Sequence, residues 1–498
     1  MKIKSKNYYL YRLLEMFPGI LVWITFIFCI GLSILNPLAA IYFIIAFDLY
    51  WFTRITYMLV FLLISWVRYH KDIKIDWMAK VKTIKDKNWK DYHHIIFLPT
   101  YKEPFSVIDE TFKILSNAKY PADKMTLVLA GEGRDEENFL KIAGEIERKY
   151  QGVFADLIIT VHPTDLPDEV PGKGSNLNYA GHQVKKYVDE KGWDYDKIIV
   201  STFDVDTQVS EQYFSYLTYQ YLTTENPTRY SYQPLAFYHN NIWESNFITR
   251  VVANSTTFWL LTDLARSERL FTFSSHSMSW RALTDIGFWQ KDIVTEDSRI
   301  FLQCFIYYNG DYKVKPMYVA VSMNTVYMGK FYQSLINQYK QMRRWAWGVE
   351  HFPYMAWNFA KKKSIPFTKK LRYLWNQTEG VYSWATAPLI ILIMGRLPLW
   401  MADKQVQSTY IAQQAPYILE TIMGIGMIGL LVTAIFSTII LPVKPKKYHW
   451  TKYLIMVVQW LVFPISMILF GSIPATDAQT RLMLGGKFRL GFWVTEKN

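Results

Sequence analysis

Apolar residues crowd the two ends of the chain and thin out between them. Residues 18–35 form an unbroken apolar run, long enough for a hydrocarbon core of roughly 30 Å. Lys2, Lys4, Lys6 and Arg12 precede it, and no small-residue cleavage site follows, so it reads as an anchor and not a removable signal. Asn36 and Pro37 break the chain. A second run, 38–66, is followed by Arg68, Lys71, Lys74, Lys80, Lys82 and Lys85. Positive charge on both outer flanks of a two-helix hairpin places both flanks inside the cell, and the central region with them. Three further runs follow at 381–400, 418–441 and 454–473. The link 401–417 carries one lysine and reads as outside; 442–452 carries Lys444, Lys446, Lys447 and Lys452 and reads as inside. Plain counting then sends the C-terminus outside. Asp48 and Arg54 fall within the second run and read as a bend near an interface; the other reading is a polar lining.

Between the two apolar ends the period changes. Short apolar runs at 94–98, 125–130, 157–161 and 197–203 alternate with helical patterns at 106–117, 136–150 and 175–190. Strands alternating with helices of this length predict an α/β domain with a mostly parallel sheet covered on both faces. Ligands bind such sheets at the carboxyl ends of the strands. The expected division is a transmembrane hairpin over 1–70, the α/β domain over 71–330, interfacial helices over 331–375, a second transmembrane region over 376–475, and a tail over 476–498.

Composition sharpens this picture. Over 498 residues, 51% are hydrophobic and 19% charged, which a soluble enzyme of this size seldom shows. The net charge is +13, but the lysines flank apolar runs instead of forming one basic block. That distribution predicts a lipid bilayer as partner and no nucleic acid. With two cysteines, Cys29 and Cys304, neither a disulfide framework nor a zinc site is expected.

The unusual polar residues fall just after the predicted strands. Thr100, Tyr101 and Glu103 follow the first, where an aromatic and a carboxylate can clamp a base and its ribose. Glu132 follows the second, between Gly131 and Gly133, which allow close backbone approach. Lys173 opens the helix at 175–190, where free N–H groups and an ammonium suit a diphosphate. Asp204 and Asp206 end the fourth strand. Two apart in an extended segment, they face the same side, as a divalent cation on a diphosphate requires. Thr295, Glu296 and Asp297 start a helix, where a carboxylate can take a proton from an attacking hydroxyl. Gln341, Arg344 and Trp345 share one helix face at i, i+3 and i+4. Each motif alone has an ordinary structural explanation as a turn, a cap or an interfacial belt.

Taken in order, the motifs resemble those of the processive family 2 glycosyltransferases, the cellulose, chitin and hyaluronan synthases. DxD is Asp204 and Asp206, TED ends in Glu296 and Asp297, QxxRW is Gln341, Arg344 and Trp345, and Phe492 to Lys497 matches the FxVTxK gating loop of bacterial cellulose synthase. The resemblance implies a GT-A domain on a membrane platform at the inner (plasma) membrane, with the catalytic domain cytoplasmic. It implies a UDP-sugar donor and a glycan or glycolipid acceptor. Thr100, Tyr101, Glu103 and Glu132 would hold uridine and Lys173 the diphosphate, while Asp204 and Asp206 would serve nucleotide and Mg²⁺ or Mn²⁺. Asp297, beside Glu296, would be the base of an inverting displacement. Gln341 and Arg344 would hold the pyrophosphate, Trp345 would stack on the acceptor, and Thr495 and Lys497 would close over the nucleotide. The gating match requires a cytoplasmic tail, so the run 454–473, interrupted by Pro464, is expected to be broken or re-entrant. The departures are Gly131-Glu132 where the family has two acids, and residues 273–281 in place of a glycine-containing acceptor loop. Few membrane helices follow the catalytic motifs, so a complete export channel is not expected, and a homo-oligomer or accessory export subunit is a candidate partner. Processive synthesis, single addition to a lipid or short glycan, and an inactive membrane scaffold remain the alternatives.

Overall fold

The computed structural model describes residues 5–491. The four strands read from the apolar runs are β1 (His93–Pro99), β2 (Met125–Glu132), β3 (Asp156–His162) and β4 (Ile198–Thr202). They pair in parallel in the order β3-β2-β1-β4. β2 is buried along its whole length and β1 nearly so, as strands covered on both faces must be. Alternate residues feed two cores. Ile95, Phe97, Val128 and Val200 face one, while Ile96, Leu98, Leu127 and Ile199 face the other. The covering helix Glu136–Lys149 shows why such segments fold as they do. It buries Phe139, Ile142, Ala143 and Ile146, places Glu136 and Glu137 in its first turn, and ends on Arg148 and Lys149.

The sheet is larger and more mixed than the pattern predicts. β5 (Gln208–Val209), β6 (Tyr230–Tyr238), β7 (His276–Ser279) and β8 (Lys313–Met323) extend it to eight strands, in the order β3-β2-β1-β4-β7-β6-β8-β5. β7 is antiparallel to both β4 and β6, β5 is antiparallel to β8, and β6 and β8 run parallel. The expectation of a mostly parallel sheet therefore holds for the first half only. The second half alternates less cleanly because Ser231, Gln233, Ser277 and Ser279 are buried polar residues inside strands.

Among the described residues, four helices are long and apolar enough to cross a membrane: Asn7–Leu35, Pro37–Asp72, Tyr410–Ile439 and Thr451–Leu484. Their contacts assign them different places. The Arg68 and Tyr69 end of the second helix touches Tyr318 and Phe237 of the sheet. At the opposite end Ser33 reaches Met394, and Ile41 packs with Ala412 and Ala415. Trp66 then meets Phe436, which brings Tyr410–Ile439 back to the sheet side. The helix Phe367–Met394 completes this antiparallel set, although Lys369, Lys370, Arg372 and Glu379 make its first half polar. Arg54 bonds Glu379 across the bundle at 2.8 Å, so it faces protein and not an interface as the sequence reading had it. Asp48 is also buried.

Thr451–Leu484 behaves differently. Gln459 accepts from Arg250 at 2.7 Å, the Trp460 ring lies tilted 6.0 Å from that of Phe258, and Asp477 accepts from Arg343 at 2.9 Å. Near its end, Arg12 donates to the carbonyl of Leu482 at 2.7 Å. The segment thus bonds Arg250 and Arg343 through Gln459 and Asp477, and it also packs on the helix Phe367–Met394, with Ser472 donating to the Trp384 carbonyl at 3.0 Å. Pro464 opens a short helix within it, and a π-helical turn follows at Ile468–Ser472, so the interruption is a change of helix type.

Candidate functional site

The site forms where the carboxyl ends of β1, β2 and β4 meet the start of one helix and the face of another. After β1, the Thr100 hydroxyl donates to Glu103 at 2.7 Å and the Tyr101 N–H donates to the same oxygen. Glu103 therefore shapes its own loop. The Tyr101 ring lies 4.5 Å from the Arg134 guanidinium, which in turn donates to Glu132 at 2.9 Å. Arg134 is a member of this corner that the motif reading missed. Gly131 is there because a Cβ would sit 2.4 Å from the Phe139 ring.

Lys173 is the first residue of the helix Lys173–Glu190. Its ammonium stands 2.9 Å from both carboxylate oxygens of Asp297, 2.9 Å from Asp204 and 3.6 Å from Glu296. Burial works against this charge, but Asp204, Asp297 and Glu296 together raise its pKa and keep it protonated. Glu296 is nearly inaccessible. Burial and the Asp297 charge push its carboxyl up, against Lys173 and Arg344. The approach is close because residue 174 is glycine: a Cβ there would lie 3.0 Å from the Gln290 carbonyl and 3.3 Å from Glu296. The Thr272 hydroxyl holds the Asp297 carbonyl at 2.6 Å, and Ser274 donates to the Asp204 carboxylate at 2.8 Å.

The aspartate pair departs from its sequence reading. β4 ends at Thr202, and residues 204–207 form a turn closed by the Thr207 N–H on the Asp204 carbonyl at 2.8 Å. Two-residue alternation in a strand is therefore not what places Asp204 and Asp206. The turn and the Ser274 bond do. Asp206 is nearly buried.

Tyr238, at the end of β6, ties the parts together and was not foreseen. Tyr238 is partly buried, and burial first, then Asp204, Asp297 and Asp206, raise its pKa against Arg344. Its ring lies 5.5 Å from that of Trp345. Arg344 and Trp345 come from the helix Phe331–Ala346, where Gln341 accepts from Gln338 at 3.2 Å. The fold thus brings Asp204, Asp206, Asp297, Arg344 and Trp345 to Tyr238, while Lys173 joins Asp204, Asp297 and Glu296. Thr100, Tyr101, Glu103 and Glu132 form a separate corner at β1 and β2. Thr495 and Lys497 lie outside the described residues. Among the described residues no group of three or more His, Cys, Asp or Glu side chains is placed to hold a metal ion.

A family model described as Glycosyl transferase family group 2 matches residues 199–471, more than half of the chain. A search of curated proteins finds no significant match. Among solved structures, the chain is similar to the mannosyltransferase PcManGT from Pyrobaculum calidifontis in complex with GDP-Man and Mn²⁺, at 12% identity and a TM-score of 0.40, covering 85% of this chain and 99% of that one. It is also similar to S. aureus TarS 1-349 in complex with UDP-GlcNAc, at 11% identity and a TM-score of 0.36, covering 70% and 91%. The family match includes the DxD, TED and QxxRW residues. The chain belongs to glycosyl transferase family group 2 and is a glycosyltransferase.

Proposed function

We propose that the protein is a membrane-integrated inverting glycosyltransferase of GT-A type that moves a sugar from a UDP-sugar onto a growing polysaccharide. The observation that carries this reading is the single ammonium of Lys173 joining Asp204 to Asp297, with Arg344 and Trp345 arriving from another element. One carboxylate faces the donor and one the acceptor, and they meet at one point.

In this reading Asp297 takes the proton from the acceptor hydroxyl as that oxygen attacks the donor's anomeric carbon. UDP leaves from the opposite face in a single displacement. Lys173, Gln341 and Arg344 stabilise the departing diphosphate, and arginine suits its oxygens. Trp345 offers its face to the acceptor ring, while Glu296 shapes the site beside the base. Thr100, Tyr101, Glu103 and Glu132 hold the nucleoside, with Arg134 on the Tyr101 ring. The tail residues Thr495 and Lys497 close over bound nucleotide.

Mg²⁺ or Mn²⁺ fits the residues present. Asp204, Asp206 and Asp297 gather near Lys173 and Arg344, an excess of negative charge that a divalent cation offsets. Small hard cations are usually held by one or two carboxylates with substrate phosphates completing the shell, which agrees with a two-aspartate site. When bound, the ion would neutralise the diphosphate as it leaves.

The helices Asn7–Leu35, Pro37–Asp72, Phe367–Met394 and Tyr410–Ile439 are the proposed crossings, with Thr451–Leu484 lying along the cytoplasmic face. The bonds of Gln459 and Asp477 to the catalytic side support this, and it leaves both termini cytoplasmic in the inner membrane. The test is purified protein with a panel of UDP-sugars and GDP-sugars, Mg²⁺ or Mn²⁺, and product sizing. UDP release with an elongating product ladder supports the reading. A single added sugar would replace it with non-processive transfer to a lipid or short glycan, and full activity in EDTA would remove the metal from it.

A further inference from the structure

Behind the carboxylates lies a polar network that ties the TED threonine to residues outside every motif. The helix Phe331–Ala346, which carries Gln341, Arg344 and Trp345, runs into a short turn ending in Glu350, followed by His351. One oxygen of Glu350 accepts from the Thr295 hydroxyl at 2.6 Å, and the other from the Trp347 indole at 3.1 Å. The Arg299 guanidinium donates to the Glu350 carbonyl at 3.2 Å and to Nδ1 of His351 at 3.1 Å. With Nδ1 accepting, Nε2 carries the ring proton and donates to the Ser298 hydroxyl at 2.7 Å. Arg299 and His351 are each only 2% exposed.

The juxtaposition is specific. Thr295 and Ser298 stand immediately before and after the Glu296–Asp297 pair, and Glu350 and His351 grip one each. Two adjacent residues, one ending a turn and one opening the next helix, therefore straddle the acid pair. Burial pushes the Glu350 carboxyl up while Arg299, Thr295 and Trp347 favour its charged form. A half-buried carboxylate whose oxygens are both engaged cannot shift without leaving a polar group unmatched, so the bond holds its geometry.

We infer that Glu350 is a positioning residue: through Thr295 it sets where Asp297 stands relative to Trp345 and Arg344. This rests on the reading of Asp297 as the base. Transfer needs the base, the acceptor hydroxyl and the anomeric carbon aligned, and a misplacement of about 1 Å can cost on the order of 10²-fold. Donor binding, which uses other residues, needs no such alignment.

The experiment uses full-length enzyme in detergent with UDP-sugar and Mn²⁺, measuring transfer, donor hydrolysis and UDP affinity together. Thr295→Val, which exchanges the hydroxyl for a methyl of the same shape, should lower kcat for transfer by roughly 10-fold to 10²-fold. UDP affinity should stay within about twofold, and the ratio of transfer to hydrolysis should fall. Thr295→Ser, which keeps the hydroxyl, should restore most of the rate. Glu350→Ala should lower transfer at least as much as Thr295→Val, since it also frees the Trp347 indole, and the double variant should be no worse than Glu350→Ala alone, because the two substitutions share the Thr295–Glu350 bond. If Glu350→Ala does not fold, Thr295→Val against Thr295→Ser decides alone. An unchanged transfer-to-hydrolysis ratio, an equal fall in UDP affinity, or multiplying effects in the double variant would overturn the inference. Asp297→Asn in the same assay keeps the two readings apart: its failure to lower transfer would sink the base, whatever Thr295 and Glu350 show.

Discussion

At Trp345 a single side chain touches both the catalytic cluster and the membrane-facing helices. Its ring meets Tyr238 on one side and packs with Met342 and Phe470 on the other. The interfacial-belt explanation and the acceptor-stacking explanation are therefore both physically available to it, and a substitution separates them. Trp345→Ala should leave UDP affinity nearly unchanged, lower transfer by about 2-fold to 10-fold, and spare donor hydrolysis, since a stacked ring is worth about 0.5–1.5 kcal/mol. Equal loss of transfer and hydrolysis would make the ring a packing element only. Asp204, Glu296, Asp297 and Lys173 were legible as residues because their spacing and their place after strands are sequence properties. That Lys173 would bond both Asp204 and Asp297 was not, since nothing local connects positions 173, 204 and 297. Tyr238, Arg134 and Glu350 stayed hidden for the same reason: an isolated tyrosine, arginine or glutamate acquires its place only through packing across elements.

Between elements, the buried histidine of β1 gives a pH prediction. His94 is enclosed by Tyr120 and Phe214, with its Nε2 2.9 Å from the Thr218 hydroxyl. Burial, aided by neighbouring His93, lowers its pKa from 6.5 to about 3. Below pH 6.5 the unfolded chain takes up a proton that the folded chain refuses. The stability this neutral histidine confers is therefore intact above that pH and is lost as pH falls toward 3, at about 1.4 kcal/mol per pH unit. His94→Gln should flatten the fall of the unfolding midpoint between pH 6 and 4.5, and an unchanged slope would refute the assignment. Helix packing gives a second case. A Cβ at Gly19 would lie 2.7 Å from the Gln479 carbonyl and from Met483, so the first helix and the last meet backbone to backbone. Gly19→Val should destabilise the purified protein by about 1–3 kcal/mol, as overpacking does, read as a lower unfolding midpoint in detergent. The sequence could show β1 to β4 because their apolar runs are continuous. It could not show β6 and β7, whose buried serines and glutamine break the period, nor that Asp204 and Asp206 sit in a turn, because the end of a strand is decided by its partners.

Across the whole molecule, hydropathy and contacts disagree about which segments cross. Hydropathy favours Thr451–Leu484 over Phe367–Met394. Contacts favour the reverse, because Gln459 and Asp477 both bond groups on the catalytic side while Met394 reaches Ser33 at the far end. Cysteines placed in the exposed link 442–452 and at Gly491 should both be labelled by an impermeant reagent only from the catalytic side of sealed vesicles. Labelling of position 491 from the other side would restore the simple count and remove the tail from the active site. The central claim is that one ion-paired cluster performs the chemistry and that Asp297 is its base. General-base catalysis contributes about 10²–10⁴-fold, and a base acts in the transition state. The most direct measurement is single-turnover transfer from labelled UDP-sugar by Asp297→Asn, alongside UDP-sugar affinity. The account predicts transfer slowed by about 10²–10⁴-fold with affinity nearly unchanged. Near-normal transfer, or a loss explained entirely by weaker binding, would contradict it.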